Sequence, residues 1–362
     1  MNCWDSVVCM NNTYRLLFTL LSNALWCKEK GLPKELSEEE VSQLITVADE
    51  QTVSGLIAYV IIWNDIKTPE DWYFEAIGIE AQVHQANHKL NGELKQFVNL
   101  PLKDYVVVKG QTIAAIYPEP LARMPGDIDF LVHNYPEAKE LLDREWSVEL
   151  PSKLLDREYA FEHGVATYEI HDQLIVLGCR KHQQYWDKLL KRPCAYMNID
   201  GVQIPTLAPT INAVYVFVHL FFHFLREGVS LRQFCDWAMV LHHYKEDIDR
   251  NELKLALDQL GLVKAYKALG SILVDDLGLP KEDFPFELDR EDRIWHGKIL
   301  KDIFKGGNFG KLNHLANSSW MFKLETFGVA LRNTYRYYWL CPSEVGSMIP
   351  RLIKVNVRLL LA

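Results

Sequence analysis

A chain of 362 residues, 49% apolar and 24% charged, has the composition of an ordinary globular protein and the length for more than one domain, which excludes disordered and fibrous classes. Its 39 Lys and Arg against 48 Asp and Glu leave a net charge of −9, so global electrostatics give no pull towards a nucleic-acid backbone, and any basic groove has to be local. The seven cysteines (Cys3, Cys9, Cys27, Cys179, Cys194, Cys235 and Cys341) are scattered with no CxxC pair, which argues against a disulfide framework and a cysteine zinc site and fits a reducing, cytoplasmic compartment.

The opening MNCWDSVVCM has no basic segment leading into a long apolar core, so no signal peptide is expected. From there to about residue 100 the chain reads as helical. Tyr14 opens a run with apolar residues at helical spacing, and Ser37 stands three residues ahead of Glu40 in capping-box arrangement. A further helix is expected over 53–64. After the break at Lys67-Thr68-Pro69, one long helix is expected over 72–97, interrupted in propensity by Gly78 and Gly92.

At Pro101 the pattern changes. Tyr105-Val-Val-Val108 is a short β-branched run ending in Lys109-Gly110, and Ile128 to Val132 has the period of a strand. Residues 111–117 between them allow two helical turns. Strands are also expected over 165–170 and 174–177, followed by a hairpin over 197–204 in which Asp200-Gly201 is a type I′ turn signal. From residue 208 the chain returns to helix: 210–227, 231–244, 250–260 and 264–277. The 213–225 stretch is the most apolar, but it carries His219 and His223 and is shorter than the roughly 18 residues of a membrane span. The closing stretch 349–361 alternates basic and apolar residues. The expected architecture is therefore α+β: an N-terminal helical domain (1–100), a small mixed α/β core (101–205) and a C-terminal helical domain (206–362).

The chemistry concentrates around Gly126-Asp127-Ile128-Asp129. Residues two apart in a strand point the same way, so the two carboxylates share one small volume while Ile128 and Phe130 pack on the other face. Their repulsion needs cations, and oxygen ligands of this kind suit Mg²⁺ bound through one or two carboxylates and substrate phosphates. The spacing alone is weak, since Asp247-Ile248-Asp249 repeats it in a polar stretch that reads as a solvated helix boundary. The apolar strand that follows Asp127 and Asp129, and the Lys109-Gly110 turn opening onto a helix upstream, single them out. Such a turn offers backbone N–H groups to a phosphate.

These residues, with Tyr117 and Arg123 between them, resemble the DNA polymerase beta-like nucleotidyltransferase superfamily. They resemble more closely its uncharacterised nucleotidyltransferase subgroup, whose genes often lie near those of polysaccharide biosynthesis. The resemblance implies a nucleotidyltransferase-like sheet, transfer of a nucleoside monophosphate from an NTP such as ATP to an acceptor hydroxyl, and release of pyrophosphate. It implies two Mg²⁺ ions on Asp127, Asp129 and a third acid, which also orients or activates the attacking hydroxyl. Glu169 in Ala166-Thr-Tyr-Glu169-Ile-His171 is that third acid, where the subgroup tends to have Asp. His171, on the same face by alternation, would bind phosphate or position Glu169; Asp172 is a rival acid on the opposite face. Lys109, Gly110 and the following amides would cradle phosphates. Gln111 stands where the superfamily usually has Ser, so a further contact would come from Thr112, the Gln111 amide or the backbone. Arg123 would neutralise the triphosphate, or lie at the surface.

In the helical C-terminal part His219 and His223 are an i,i+4 pair without the Glu of a zincin, and Arg232 and Asp236 are spaced for a helical ion pair. Both pairs read equally as structural or as lining a nucleotide or acceptor pocket. Three other readings stay open. The chain is a nucleotidylating toxin or a protein- or tRNA-modifying enzyme, or it is an inactive nucleotide- or metal-binding module or a helical interaction protein. The acceptor, whether sugar, small molecule, tRNA or protein, is not written in the sequence.

Overall fold

The computed structural model describes residues 12–28, 31–154, 157–307 and 319–347. The opening segment with Cys3 and Cys9 and the closing stretch 349–361 lie outside the described residues.

Four helices precede the sheet: α1 (Asn12–Trp26), α2 (Glu38–Glu50), α3 (Ser54–Trp63) and α4 (Glu70–Val98). The capping box of α2 forms: the Ser37 hydroxyl accepts from the Glu40 amide, and the Glu40 carboxylate accepts from the Ser37 amide at 2.9 Å. Helix α4 runs unbroken through Gly78 and Gly92, and a Cβ at either position would meet no neighbour within 4 Å. Gly55 in α3 differs. A Cβ there would stand 2.4 Å from the carbonyl oxygen of Ala122, so the absent side chain is what lets α3 approach the 3₁₀ turn Pro120–Ala122. Gly55→Val is therefore expected to destabilise the protein by about 1–3 kcal/mol in urea unfolding. Gly78→Ala, in open helix, is expected to stabilise it by up to about 1 kcal/mol.

The central sheet has six strands: β1 (Tyr105–Val108), β2 (Ile128–Val132), β3 (Glu158–His163), β4 (Ala166–His171), β5 (Ala195–Ile199) and β6 (Val202–Thr206), in the order β3-β4-β2-β1-β6-β5. The β1–β2, β3–β4 and β5–β6 pairs are antiparallel, whereas β2–β4 and β1–β6 are parallel. The hairpin turn is as the sequence signals: Asp200 and Gly201 both adopt positive φ, at 48° and 85°. Three short helices connect the strands: α5 (Gly110–Ala114), α6 (Tyr135–Trp146) and α7 (Arg180–Leu189). After the sheet come α8 (Pro209–Arg226), α9 (Leu231–His243), α10 (Arg250–Gln259), α11 (Val263–Asp275), α12 (His296–Gly306) and α13 (Ser319–Arg336). The molecule is thus α+β, a mixed sheet flanked by helices.

Period-2 alternation divides the sheet into two faces. Ile128, Phe130, Val132, Tyr168 and Ile170 enter a core with Leu90, Leu94 and Phe97 of α4 and with Leu141 and Leu142 of α6. Val106, Val108 and Leu131 look the other way, into a larger core that joins residues of α1, α3, α8, α9 and α11. Asp129, Glu169 and His171 are on this second face, turned towards α8.

Several local expectations are corrected. Residues 174–177 are not a strand: Leu174, Ile175 and Leu177 are buried as an irregular segment in the larger core. Strand β3 and helices α6 and α7 were not anticipated, and α5 is a single short turn starting at Gly110 instead of a helix over 111–117. Asp249 caps α10, accepting from the amides of Asn251 and Glu252, in keeping with its reading as a helix boundary.

Candidate active site

Strand β1 ends at a turn in which Lys109 and Gly110 both have positive φ, 56° and 47°. For Lys109 this is a costly backbone, held by its surroundings. The Thr112 hydroxyl donates to the Lys109 carbonyl at 2.7 Å, and the Gln111 amide donates to Asn91 of α4 at 2.6 Å. Both side chains thereby fasten the turn to the scaffold, and the cavity lining takes Lys109 and Gly110 from it but neither Gln111 nor Thr112. A Cβ on Gly110 would lie 2.9 Å from the Asp127 carbonyl oxygen, so the turn is pressed against the segment that enters β2.

The parallel pairing of β2 with β4 sets Asp129 directly opposite Glu169. His171, two residues on, brings its Nε2 to 3.2 Å from Asp129 Oδ1 and 3.5 Å from Glu169 Oε2. One ligand atom from each of Asp129, Glu169 and His171 lies within 4.8 Å of the others, a group able to hold a metal ion. The Lys109 ammonium reaches the same Asp129 oxygen at 2.9 Å and comes within 3.4 Å of His219 Nε2 on α8. Asp127, one residue ahead of β2, is exposed at the rim of the cavity. Glu158 of β3, opposite His171 in register, adds a carboxylate 3.6 Å from His171 Nδ1. Sequence reasoning missed Glu158 because it missed its strand, although the apolar alternation Tyr159, Phe161 was there to be read.

Crowding of like charge shows in the acid–base properties. The Asp127 carboxyl, exposed at the rim yet partly desolvated by the cavity around it, is raised by that desolvation and then by Asp129 and Glu169, more than Lys109 and Arg232 lower it. Burial also raises Glu158, with Glu169 adding to it. Asp129 goes the other way: burial acts to raise it, but Lys109 and the His171 hydrogen bond outweigh that and hold it well below the usual carboxylate range. His171 is opposed by burial but lifted to about 9 by Asp129 and Glu169. His219 is pushed well below its ordinary value by burial and by Lys109, so its imidazole is neutral.

These groups surround a cavity of about 530 Å³, of the size that small-molecule ligands occupy. Asp127, Asp129, Glu158 and Glu169 form its acidic wall. His219, His223 and Arg226 of α8 and Arg232 of α9 complete the charged and polar lining. The two histidine rings are 4.3 Å apart.

Arg123 and Asp236 depart from their sequence readings. The Arg123 guanidinium is 3% exposed and grips Asp236 through two bonds, Nε to Oδ1 at 2.7 Å and its second nitrogen to Oδ2 at 2.8 Å. The Tyr117 hydroxyl donates to the same carboxylate at 2.7 Å. Arg123 is thus no surface charge, and the expected Arg232–Asp236 helical pair does not form. A fork-to-fork pair between distant segments satisfies Asp236 more fully than a single turn of helix can. Arg232 donates instead to the Pro125 carbonyl at 3.0 Å.

The fold and this acidic, lysine-compensated cavity place the molecule among α+β proteins with a sheet-borne polar site. Residues 37–273 match the family described as uncharacterised nucleotidyltransferase, well over half of the chain, and the chain belongs to that family. A similar solved structure is that of an antigenic nucleotidyltransferase-like protein from Paracoccidioides brasiliensis, 13% identical, covering 54% of this chain and 92% of that one with a TM-score of 0.29. No curated protein matches the chain. Among the described residues no helix is long and apolar enough to cross a membrane.

Proposed function

We propose that the protein catalyses Mg²⁺-dependent transfer of a nucleoside monophosphate from an NTP to an acceptor hydroxyl, with pyrophosphate as the leaving group. The observation that carries this reading is the register: Asp129 and Glu169 face each other across adjacent parallel strands at the floor of the cavity, with Asp127 at its rim. The donors suit the ion, since carboxylate oxygens predominate, and the Asp127 and Glu158 carboxyls are raised by desolvation first and by neighbouring carboxylates second, the latter a repulsion that a divalent cation relieves. Bound there, the cation supplies neutralisation and alignment of the polyphosphate oxygens.

The chain's own groups divide the remaining tasks. Asp127, Asp129 and Glu169 are the ligands, and His171 keeps the Asp129 and Glu169 carboxylates in place through its Nε2. Lys109 adds positive charge at the floor. The acceptor oxygen attacks the α-phosphorus, the bond to the bridging oxygen of the β-phosphate breaks, and the hydroxyl proton passes to Glu169 Oε2. We place this chemistry in the cytoplasm and in polysaccharide-related metabolism, on the scattered cysteines and the family resemblance respectively.

Calorimetric titration of NTPs with and without Mg²⁺ tests the reading. Wild-type protein is expected to bind at least about tenfold more tightly with the metal than without it, and the Asp127→Asn/Asp129→Asn protein, nearly unchanged in volume, is expected to lose that gain. Binding indifferent to both metal and mutations would refute it.

A further inference from the structure

Charge is unevenly matched where α9 meets the cavity. Two guanidinium groups, those of Arg123 and Arg232, converge near Asp236, but its carboxylate is already engaged on both oxygens: Oδ1 by Tyr117 and Arg123, Oδ2 by Arg123. Arg232 is left with two carbonyl acceptors, Met124 at 3.4 Å and Pro125 at 3.0 Å, both on one terminal nitrogen. Its Nε is buried with no hydrogen-bond partner. Among the described residues no carboxylate oxygen is in ion-pair contact with it. Burial, and then the Arg123 charge, accordingly depress its affinity for a proton against the weaker pull of Asp236 and Asp127.

A desolvated cation without a counter-charge is an unfavourable arrangement for a folded chain and a favourable one for an anion site. The position is open to ligand: Arg232 lines the cavity, and its terminal nitrogens lie over Gly126, immediately before Asp127. Neither Lys109, held by Asp129, nor Arg123, held by Asp236, has its charge equally available.

We infer that Arg232 binds the phosphate oxygens of the nucleotide's polyphosphate chain, beside the segment that leads into the acid-bearing strand β2. The identity of the anion as a nucleotide rests on the function proposed above; the anion site itself rests on the geometry of α9. The planar fork suits two phosphate oxygens at once, and charge accumulating on the departing pyrophosphate strengthens the contact as the bond to the α-phosphorus breaks.

Inorganic tripolyphosphate titrated into the full chain in EDTA, followed by calorimetry, is the direct test, since this probe carries neither nucleoside nor metal. Wild type is expected to bind it, with affinity falling as salt rises. Arg232→Gln is expected to bind about tenfold or more weakly, and Arg232→Lys, which keeps the charge but loses the fork, in between. The inference is overturned if wild type does not bind tripolyphosphate, or if the Gln protein with wild-type circular dichroism binds it as tightly. Should the Gln protein fail to fold, a Lys protein that binds as tightly as wild type overturns it equally. Asp127→Asn/Asp129→Asn is expected to bind the probe at least as tightly as wild type, because acidic repulsion is removed. Loss of the metal-dependent reading would therefore leave the anion result standing, and the reverse.

Discussion

Asp129→Asn is expected to lower metal-dependent pyrophosphate release from NTP by about a thousandfold while costing about 3–5 kcal/mol of stability. Both effects follow from the same contacts. Asp129 lies opposite Glu169 in the sheet, accepts from Lys109 at 2.9 Å and meets His171 at 3.2 Å. Asparagine keeps the volume but removes the charge, so the metal group loses a ligand and the largely buried Lys109 loses its counter-ion. The two losses separate in a double variant. Replacing Lys109 by Met as well removes the stranded ammonium, and Asp129→Asn/Lys109→Met should unfold in urea near wild type while staying inactive. Activity within tenfold of wild type in Asp129→Asn would remove Asp129 from the metal group.

Asp236→Asn carries the other large effect, and here the readout is stability. The substitution leaves the Arg123 guanidinium, 3% exposed, without the carboxylate that accepts two of its three hydrogen bonds, and it weakens the acceptor of the Tyr117 hydroxyl. Breaking a buried pair from one side costs about 3–5 kcal/mol, measured by chemical denaturation. The pH dependence has a definite sign. Burial acts to raise Asp236, but Arg123 outweighs it and lowers the folded-state value below that of the unfolded chain. The stabilisation is therefore fully present above the unfolded value of about 3.9 and is lost as pH falls through the lower, folded one. The Asn protein should lack that acid-labile component, so the gap between the two proteins should narrow in acid. An unchanged gap would mean that the carboxylate does not support this network.

Much of the candidate site could be read from local pattern. Alternation within a strand placed Glu169 with His171, and the apolar face formed by Ile128 and Phe130 set Asp129 on the other side. The hairpin at Asp200-Gly201 and the cap at Ser37 were legible because each depends on a few adjacent residues. What escaped depends on distant partners. Glu158 belongs to an edge strand rich in polar residues, whose pattern is weak until β4 lies beside it. Arg123 and Asp236 are far apart in sequence, so helical spacing pointed to Arg232 as the partner when tertiary structure supplied another. Leu174, Ile175 and Leu177 looked like a strand because burial of an apolar run has the same signature whether or not a ladder forms.

The strand order has a bearing on how the molecule comes into being. The neighbour of β1 on one side is β2, a nearby antiparallel partner, but on the other it is β6, where Val107 meets Thr206 only after β3, β4 and β5 have been synthesised. Asp129 likewise waits for the parallel arrival of Glu169. Parallel pairings of this kind close long loops before any contact rewards them, which places them late and makes them slow. The helices, built from near neighbours, have no such delay. On a refolding chain the meeting of Asp129 with Glu169 is accordingly expected later than formation of the helices, so the full group of acids is completed by tertiary structure and not by local sequence.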